Sequence, residues 1–172
     1  MRFFSAILVS MAFLVGCHQS NDSQNQSVSV DRTPDNYPVN YGDFSFEPLV
    51  GWNSAPTDRN KTLVMLLLGG TTWNQAEAMI KVDVGRPIEP SAEGTAKAFA
   101  VSNQGKISPE TLDFDGEPGI LVTTSSTSMQ TPSHMVSIYR NGKLYLVMGA
   151  STGKTPVSDA MESIRSTWKW ND

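Results

Sequence analysis

The chain carries two hydrophobic periods, and the clearest pattern is centred on Asn141-Gly142. That dipeptide suits a left-handed backbone at both positions, the geometry of a two-residue type I′ hairpin turn. Placing the turn there opposes Arg140 to Lys143, Tyr139 to Leu144, Ile138 to Tyr145, Val136 to Val147 and Met135 to Met148, across strands at 134–140 and 143–150. Both faces of this hairpin are then substantially apolar. A sheet apolar on both faces must be covered on both. Two segments of helical period supply the covers. Ala92, Ala96, Phe99 and Ala100 share one face of a segment opened by Pro90-Ser91 and stopped near Gly105. Val157, Ala160, Met161, Ile164 and Trp168 form a second stripe, with Thr155 as the expected N-cap before Pro156.

Shorter runs complete the sheet. Phe44-Ser45-Phe46 starts a strand that ends before Pro48, with Gly51-Trp52 at the following turn. Leu63 to Leu68 is a six-residue apolar run closed by Gly69-Gly70, short enough for a buried strand. Ala78, Ile80, Val82 and Val84 alternate with Met79, Lys81 and Asp83, the period of a half-exposed strand. Ile120 to Thr124 is a further strand, reached from Leu112-Asp113-Phe114 through a turn at Asp115-Gly116. The expected domain is α+β, a three-layer α/β/α sandwich around a mainly antiparallel sheet over residues 37–172. No internal repeat is visible.

The first residues follow a different pattern. Arg2 precedes an uncharged apolar stretch from Phe3 to Val15, broken only by Ser5 and Ser10, which suits a secretory signal and is short for a bilayer span. It runs into Leu14-Val15-Gly16-Cys17, which resembles a bacterial lipobox, with residues 1–16 removed and Cys17 acylated as the new N-terminus. The two or three acyl chains this implies would hold firmly, since each buried methylene contributes about 0.8 kcal/mol. Residues 17–36 read as the lipidated N-terminus and a flexible tether. Between His18 and Asn36 there is no aromatic residue, and Val28 and Val30 are the only large aliphatics, too few to offset ordering entropy. His18, rather than Asp, follows Cys17, which favours the outer membrane facing the periplasm. Three Asn-x-Ser/Thr matches, at Asn21, Asn25 and Asn60, read as incidental polar composition in such a setting.

Composition then removes several classes of function. Without residues 1–16 the chain has 12 Lys and Arg against 17 Asp and Glu, a formal charge of −5, and no basic stripe for nucleic acid or anionic lipid. Cys17 is the single cysteine, so neither disulfides nor a thiolate metal site is expected. A domain of this size buries enough apolar surface without them.

Candidate chemistry is sparse. Gly149 to Thr155 lies between a strand and a helix, where a phosphate loop belongs, but only three residues separate Gly149 from Gly153 and the required first glycine position is Met148. Nucleotide binding is therefore not expected. Asp113-Phe114-Asp115-Gly116-Glu117 resembles a fragment of a calcium loop lacking the third ligand position and the distant glutamate, and reads as a solvated turn. His134 is the one histidine of the expected domain, and no serine lies in a Gly-x-Ser-x-Gly elbow. No catalytic residue, metal site or cofactor is expected. Six methionines follow Cys17, along with Trp52, Trp73, Trp168 and Trp170, and methionine is usually a filler of irregular core space. Trp73 stands out, because Gly69 to Gln75 reads as a loop, and an exposed aromatic on a loop is a candidate partner contact.

From Tyr37 to Trp170 the chain resembles the PsbP-like family, which includes photosystem II extrinsic proteins and bacterial DcrB-type lipoproteins. The resemblance rests on Phe44-Ser45-Phe46-Glu47-Pro48 leading to Gly51-Trp52, on Tyr139 to Tyr145, and on the closing helix from Ala160 to Trp168. It implies an α/β/α sandwich and, in many members, an accessory or assembly role without catalysis; it carries over no active residue. The expected function is that of a lipid-anchored envelope protein, non-catalytic, binding a partner protein. The alternatives are an envelope hydrolase using His134 with a nearby serine, and a small-ligand carrier with an enclosed apolar pocket. Replacing Cys17 with Ala is expected to leave an unlipidated precursor released from the membrane fraction; unchanged mass and retention would refute the anchor.

Overall fold

A computed structural model describes residues 40–58, 60–85 and 91–171, all within one unit. The signal segment 1–16, Cys17, the tether 17–36 and the sequons at Asn21 and Asn25 lie outside the described residues. The hairpin at Asn141-Gly142 forms as the pattern dictates. Strands β7 (His134–Arg140) and β8 (Lys143–Ser151) pair in the expected register, from Arg140↔Lys143 to Met135↔Met148. Asn141 and Gly142 take φ of 49° and 76°, as a type I′ turn requires.

Around this hairpin the described residues build an antiparallel sheet in the order β2-β3-β4-β8-β7-β6-β5. Its other members are β2 (Trp52–Ser54), β3 (Thr62–Leu68), β4 (Ala78–Gly85), β5 (Lys106–Phe114) and β6 (Glu117–Thr123). The turn from β5 to β6 is at Asp115-Gly116, as expected, with φ of 53° and 90°. β5 begins at Lys106, well before Leu112. Pro109 and a register shift between Ile107 and Thr111 hid it, features that an edge strand tolerates and that discourage pairing with other chains.

The two faces are covered separately. Helix α1 (Ala92–Asn103) lays Ala96 and Ala100 over Val122, Met135 and Met148. Ser91 caps it through a hydrogen bond from the Gly94 N–H at 3.0 Å. Helix α2 (Ser158–Thr167) sets Met161 and Ile164 on the opposite face, beside Val136, Ile138 and Val147. The fold is thus α+β with helices on both faces of a large antiparallel sheet.

Three local expectations are corrected. Thr155 does not cap α2. Its carbonyl accepts the Ser151 hydroxyl at 2.5 Å, closing a turn, and the helix starts later with Val157 as a cap that lacks a side-chain hydrogen bond. Trp168 is not helical but extended, and it leads into a strand. Met79 is not on an exposed face; it is buried with Leu67, Ala76 and Ala150, with Met129 packed against them.

The strand that Trp168 opens is β9 (Lys169–Trp170), which pairs with β1 (Phe44–Ser45) to join the two ends of the domain. Two residues a side cannot hold a ladder alone, so side chains hold it. The Trp168 ring stacks on Phe44 with centroids 4.2 Å apart, and Trp170 Nε1 donates to the Phe114 carbonyl at 2.7 Å. Trp168→Ala is expected to cost about 3–5 kcal/mol in urea unfolding. Trp168→Phe is expected to cost about 1–2 kcal/mol, since among the described residues Trp168 Nε1 has no acceptor to lose. A cost below about 1 kcal/mol for the alanine variant would show that the stack is incidental.

Candidate functional site

Strand alternation divides the connections between two ends of the sheet, and the ends differ in chemistry. At one end lie Asp43, Asp115, Glu117, Arg140, Lys143 and Lys169. Lys143 Nζ meets Asp43 Oδ2 at 2.6 Å, and the Tyr145 hydroxyl donates to the same oxygen at 2.7 Å. These partners, Lys143 first, hold the Asp43 pKa below the usual carboxylate range, while burial and then Asp43 push the Tyr145 hydroxyl upward. Asp115 accepts from Lys169 Nζ at 2.8 Å and from the Trp170 N–H at 3.0 Å. Arg140 lies 4.9 Å from the Trp170 ring centre and 3.7 Å from Glu117. The Asp113–Glu117 segment is therefore a clasp for the C-terminal strand rather than a merely solvated turn. Among the described residues no group of three or more His, Cys, Asp or Glu is arranged to hold a metal ion.

The opposite end gathers Trp73, His134 and the Gly149–Thr155 segment. The connections at 69–77, 124–133 and 152–156 meet there, and the short turn at 104–105 reaches the same end beside Thr124. Within the first, the Gln75 and Ala76 N–H groups donate to the Thr72 carbonyl at 3.0 and 3.1 Å, and the Glu77 N–H returns to Leu68 O at 2.8 Å. Ala76 plugs into the core below, leaving Trp73 at the apex with 37% of its surface exposed. The third connection is tied to the first by the Thr152 N–H, which donates to Glu77 O at 3.0 Å. The second is held by Met129, which packs against the cluster containing Ala76. Trp73 thus stands on a braced platform.

Two other sequence candidates at this end are occupied by structural work. The Gly153 N–H donates to Ser151 Oγ at 3.0 Å and the Thr152 N–H is spent on Glu77, so two amides that a phosphate would need are committed. Ser133 Oγ lies 3.1 Å from His134 Nδ1 and also donates to Gly149 O at 3.3 Å. Among the described residues no carboxylate forms a hydrogen bond with this imidazole. The methionines sort by face. Met79, Met135 and Met148 are buried on the α1 side, Met65 and Met129 are partly buried against the same side, and Met161 lies on α2 against the other face. The hairpin register already sets Met135 opposite Met148 and the second helical stripe already holds Met161; the cover over Met79, which includes Ala76 and Met129 on loops, carries no such period.

Burial lowers the pKa of His134. Protonation then costs the folded state more than the unfolded one. The resulting stability is fully present above about pH 6.5 and is lost as pH falls through the lower folded pKa. A proton NMR titration of His134 is expected to give a midpoint below 6.5, and His134→Gln should flatten the decline of urea stability between about pH 7 and pH 5. A midpoint at or above the ordinary imidazole value would contradict the buried environment.

No family model and no curated protein matches the chain. Solved structures similar to it include the following two. One, from Bacteroides thetaiotaomicron VPI-5482, is 8% identical with a TM-score of 0.49; the match covers 75% of this chain and 45% of that protein, so this chain spans less than half of its length. The other is the cyanobacterial PsbP (CyanoP) of Synechocystis sp. PCC 6803, 12% identical with a TM-score of 0.44 over 75% of this chain and 87% of that one. The fold class stands on the chain's own strand order and layers.

Proposed function

We propose that the protein is a lipid-anchored, non-catalytic accessory factor of the cell envelope, working as a binding domain through the end of the sheet that carries Trp73. The observation that carries this reading is the braced, exposed aromatic at the meeting point of three connections, on the end where the chain places no ion-pair cluster. Exposed aromatics held on rigid supports are preferred contact residues, because little entropy is lost when they are covered. A DcrB-type lipoprotein of the PsbP-like family is the kinship we favour, on the lipobox ending at Cys17 and the order of aromatic strand, Gly51-Trp52 turn, Asn141-Gly142 hairpin and closing helix. Cys17 would place the domain on the outer membrane, facing the periplasm, where the sequence leads us to expect a partner protein. Ser133 and His134 favour a structural role over hydrolysis, because the serine hydroxyl is shared with the Gly149 carbonyl across the β7–β8 pair.

A photo-crosslinking residue at Lys154, exposed on the adjoining connection, in the full chain and in living cells, tests the reading. One dominant envelope adduct is expected, lost in Trp73→Ala and in the Cys17→Ala control, with no counterpart from a crosslinker at Ser166 on α2. The same diffuse adducts from both positions would rule out this end as the working surface.

A further inference from the structure

We propose that the moiety recognised at the Trp73 end is an uncharged saccharide chain. This rests on the assignment of that end as the binding surface, and it puts a saccharide in the place of the partner protein expected there. The three connections at 69–77, 124–133 and 152–156 contain twenty-four residues, of which fourteen carry a hydroxyl or carboxamide. Glu77 and Lys154 are the two that carry charge, and they cancel. From Thr124 to Ser133 the chain runs ten residues with no ionisable side chain. One further charge lies at this end, Lys106, exposed where β5 starts opposite Thr123. The opposite end carries Asp43, Asp115, Glu117, Arg140, Lys143 and Lys169, so the low charge is local and not a property of the whole surface.

That combination matches the chemistry of a sugar. A pyranose presents a face of C–H bonds, whose hydrogens carry partial positive charge and favour the negative face of an aromatic ring. Its edge presents hydroxyls that both donate and accept, and the complementary groups are those that also do both: carboxamides and hydroxyls. Asn74 and Gln130 supply two such carboxamides with no hydrogen bond from either side chain among the described residues, and Thr71 and Thr127 supply hydroxyls in the same condition. Gln75 Oε1 accepts from Thr72 Oγ1 at 3.0 Å, which leaves its amide hydrogens to project from the loop beside Trp73.

The same inventory fits other macromolecules less well. Protein interface cores are enriched in clustered aromatics, Met and Arg and depleted in Ser, and hot spots seldom fall on Ser or Thr. This end has one exposed aromatic, no arginine and a majority of hydroxyls and amides. A membrane surface would require a contiguous apolar patch or a basic face. The exposed aliphatics at this end, Val50 before β2 and Ile107 on β5, lie by opposite edge strands of the sheet and form no contiguous patch.

The test titrates the full chain, without its signal segment, with cellohexaose, xylohexaose, mannohexaose and chitohexaose, following tryptophan emission and backbone amide shifts. Saturable binding to at least one is expected, with shifts confined to the three connections and a Kd at least about tenfold weaker in Trp73→Ala. The thermal midpoint of Trp73→Ala should fall by only a few degrees, since Trp73 belongs to none of the buried hydrophobic clusters; Asn74→Ala, with the ring intact, should also weaken binding. No response to any of the four at about 5 mM, a concentration that detects even weak specific complexes, would overturn the proposal. So would equal or tighter binding to an acidic hexasaccharide of galacturonic acid, or binding to phosphatidylethanolamine and phosphatidylglycerol vesicles with the same loss in Trp73→Ala. If the Lys154 crosslink persists as a single protein adduct while all four saccharides fail, the surface is right and the carbohydrate is wrong. If the crosslink also disperses, the surface itself is wrong.

Discussion

Strand β8 is buried on both of its faces, and the rest of the domain is arranged to satisfy that constraint. Tyr145 and Val147 point to one side, and Leu144, Met148 and Ala150 to the other, with little exposed area on any of them. One helix cannot cover both faces. The chain therefore sends α1 to one side after β4 and α2 to the other after β8, which puts β8 in the middle of the sheet order. The covering on the α2 side is close enough to dictate residue type. A Cβ at Gly149 would come within 2.7 Å of Met161 Sδ and 2.8 Å of Val157 Cγ2, so the helix can sit down only on a glycine.

The same division of labour separates the ends. The charged end is where chain segments far apart in sequence are clasped, with Asp43 on Lys143 and Tyr145, and Asp115 on Lys169 and the Trp170 amide. Exposed ion pairs contribute little singly. Here they orient a two-residue ladder whose stability comes from the Phe44, Trp168 and Trp170 rings packed behind it. The other end is held by backbone hydrogen bonds and by Ala76 and Met129 pressed into the core. Thr72, Thr124, Ser126, Ser128 and Thr152 also brace these loops through their hydroxyls. Thr71, Asn74, Thr127 and Gln130, by contrast, make no side-chain hydrogen bond among the described residues, and side chains without a structural task are free to be shaped by a ligand.

Periodicity made most of this architecture legible. The Asn141-Gly142 register, both helices and the three layers follow from residue spacing, because a buried face leaves its period in the sequence. What escaped did so for physical reasons. β5 carries Pro109 and a bulge, which break the period. β9 is two residues long and forms only because Phe44 is already in place to receive Trp168. Met79 looked exposed because its cover comes from Ala76 and Met129, residues on loops with no period at all. Thr155 looked like a cap because Thr before Pro usually is one, but the Ser151 hydroxyl had claimed its carbonyl. Trp73 was legible as an aromatic on a loop; the meeting of three connections poor in charge around it was not, since only strand order brings 69–77, 124–133 and 152–156 together.

Direction along the sheet keeps the two kinds of surface apart. The described residues begin at Asn40, which pairs with Ser45 at the charged end, while Trp73 lies at the far end. β8 alone, at nine residues, extends about 30 Å between them. The Debye length at physiological ionic strength is about 8 Å, so the ion pairs at Asp43 and Asp115 are screened from the Trp73 end. What is recognised there is therefore decided by the groups of that end alone, and the clasp that holds the chain ends together can be strengthened or weakened without changing it.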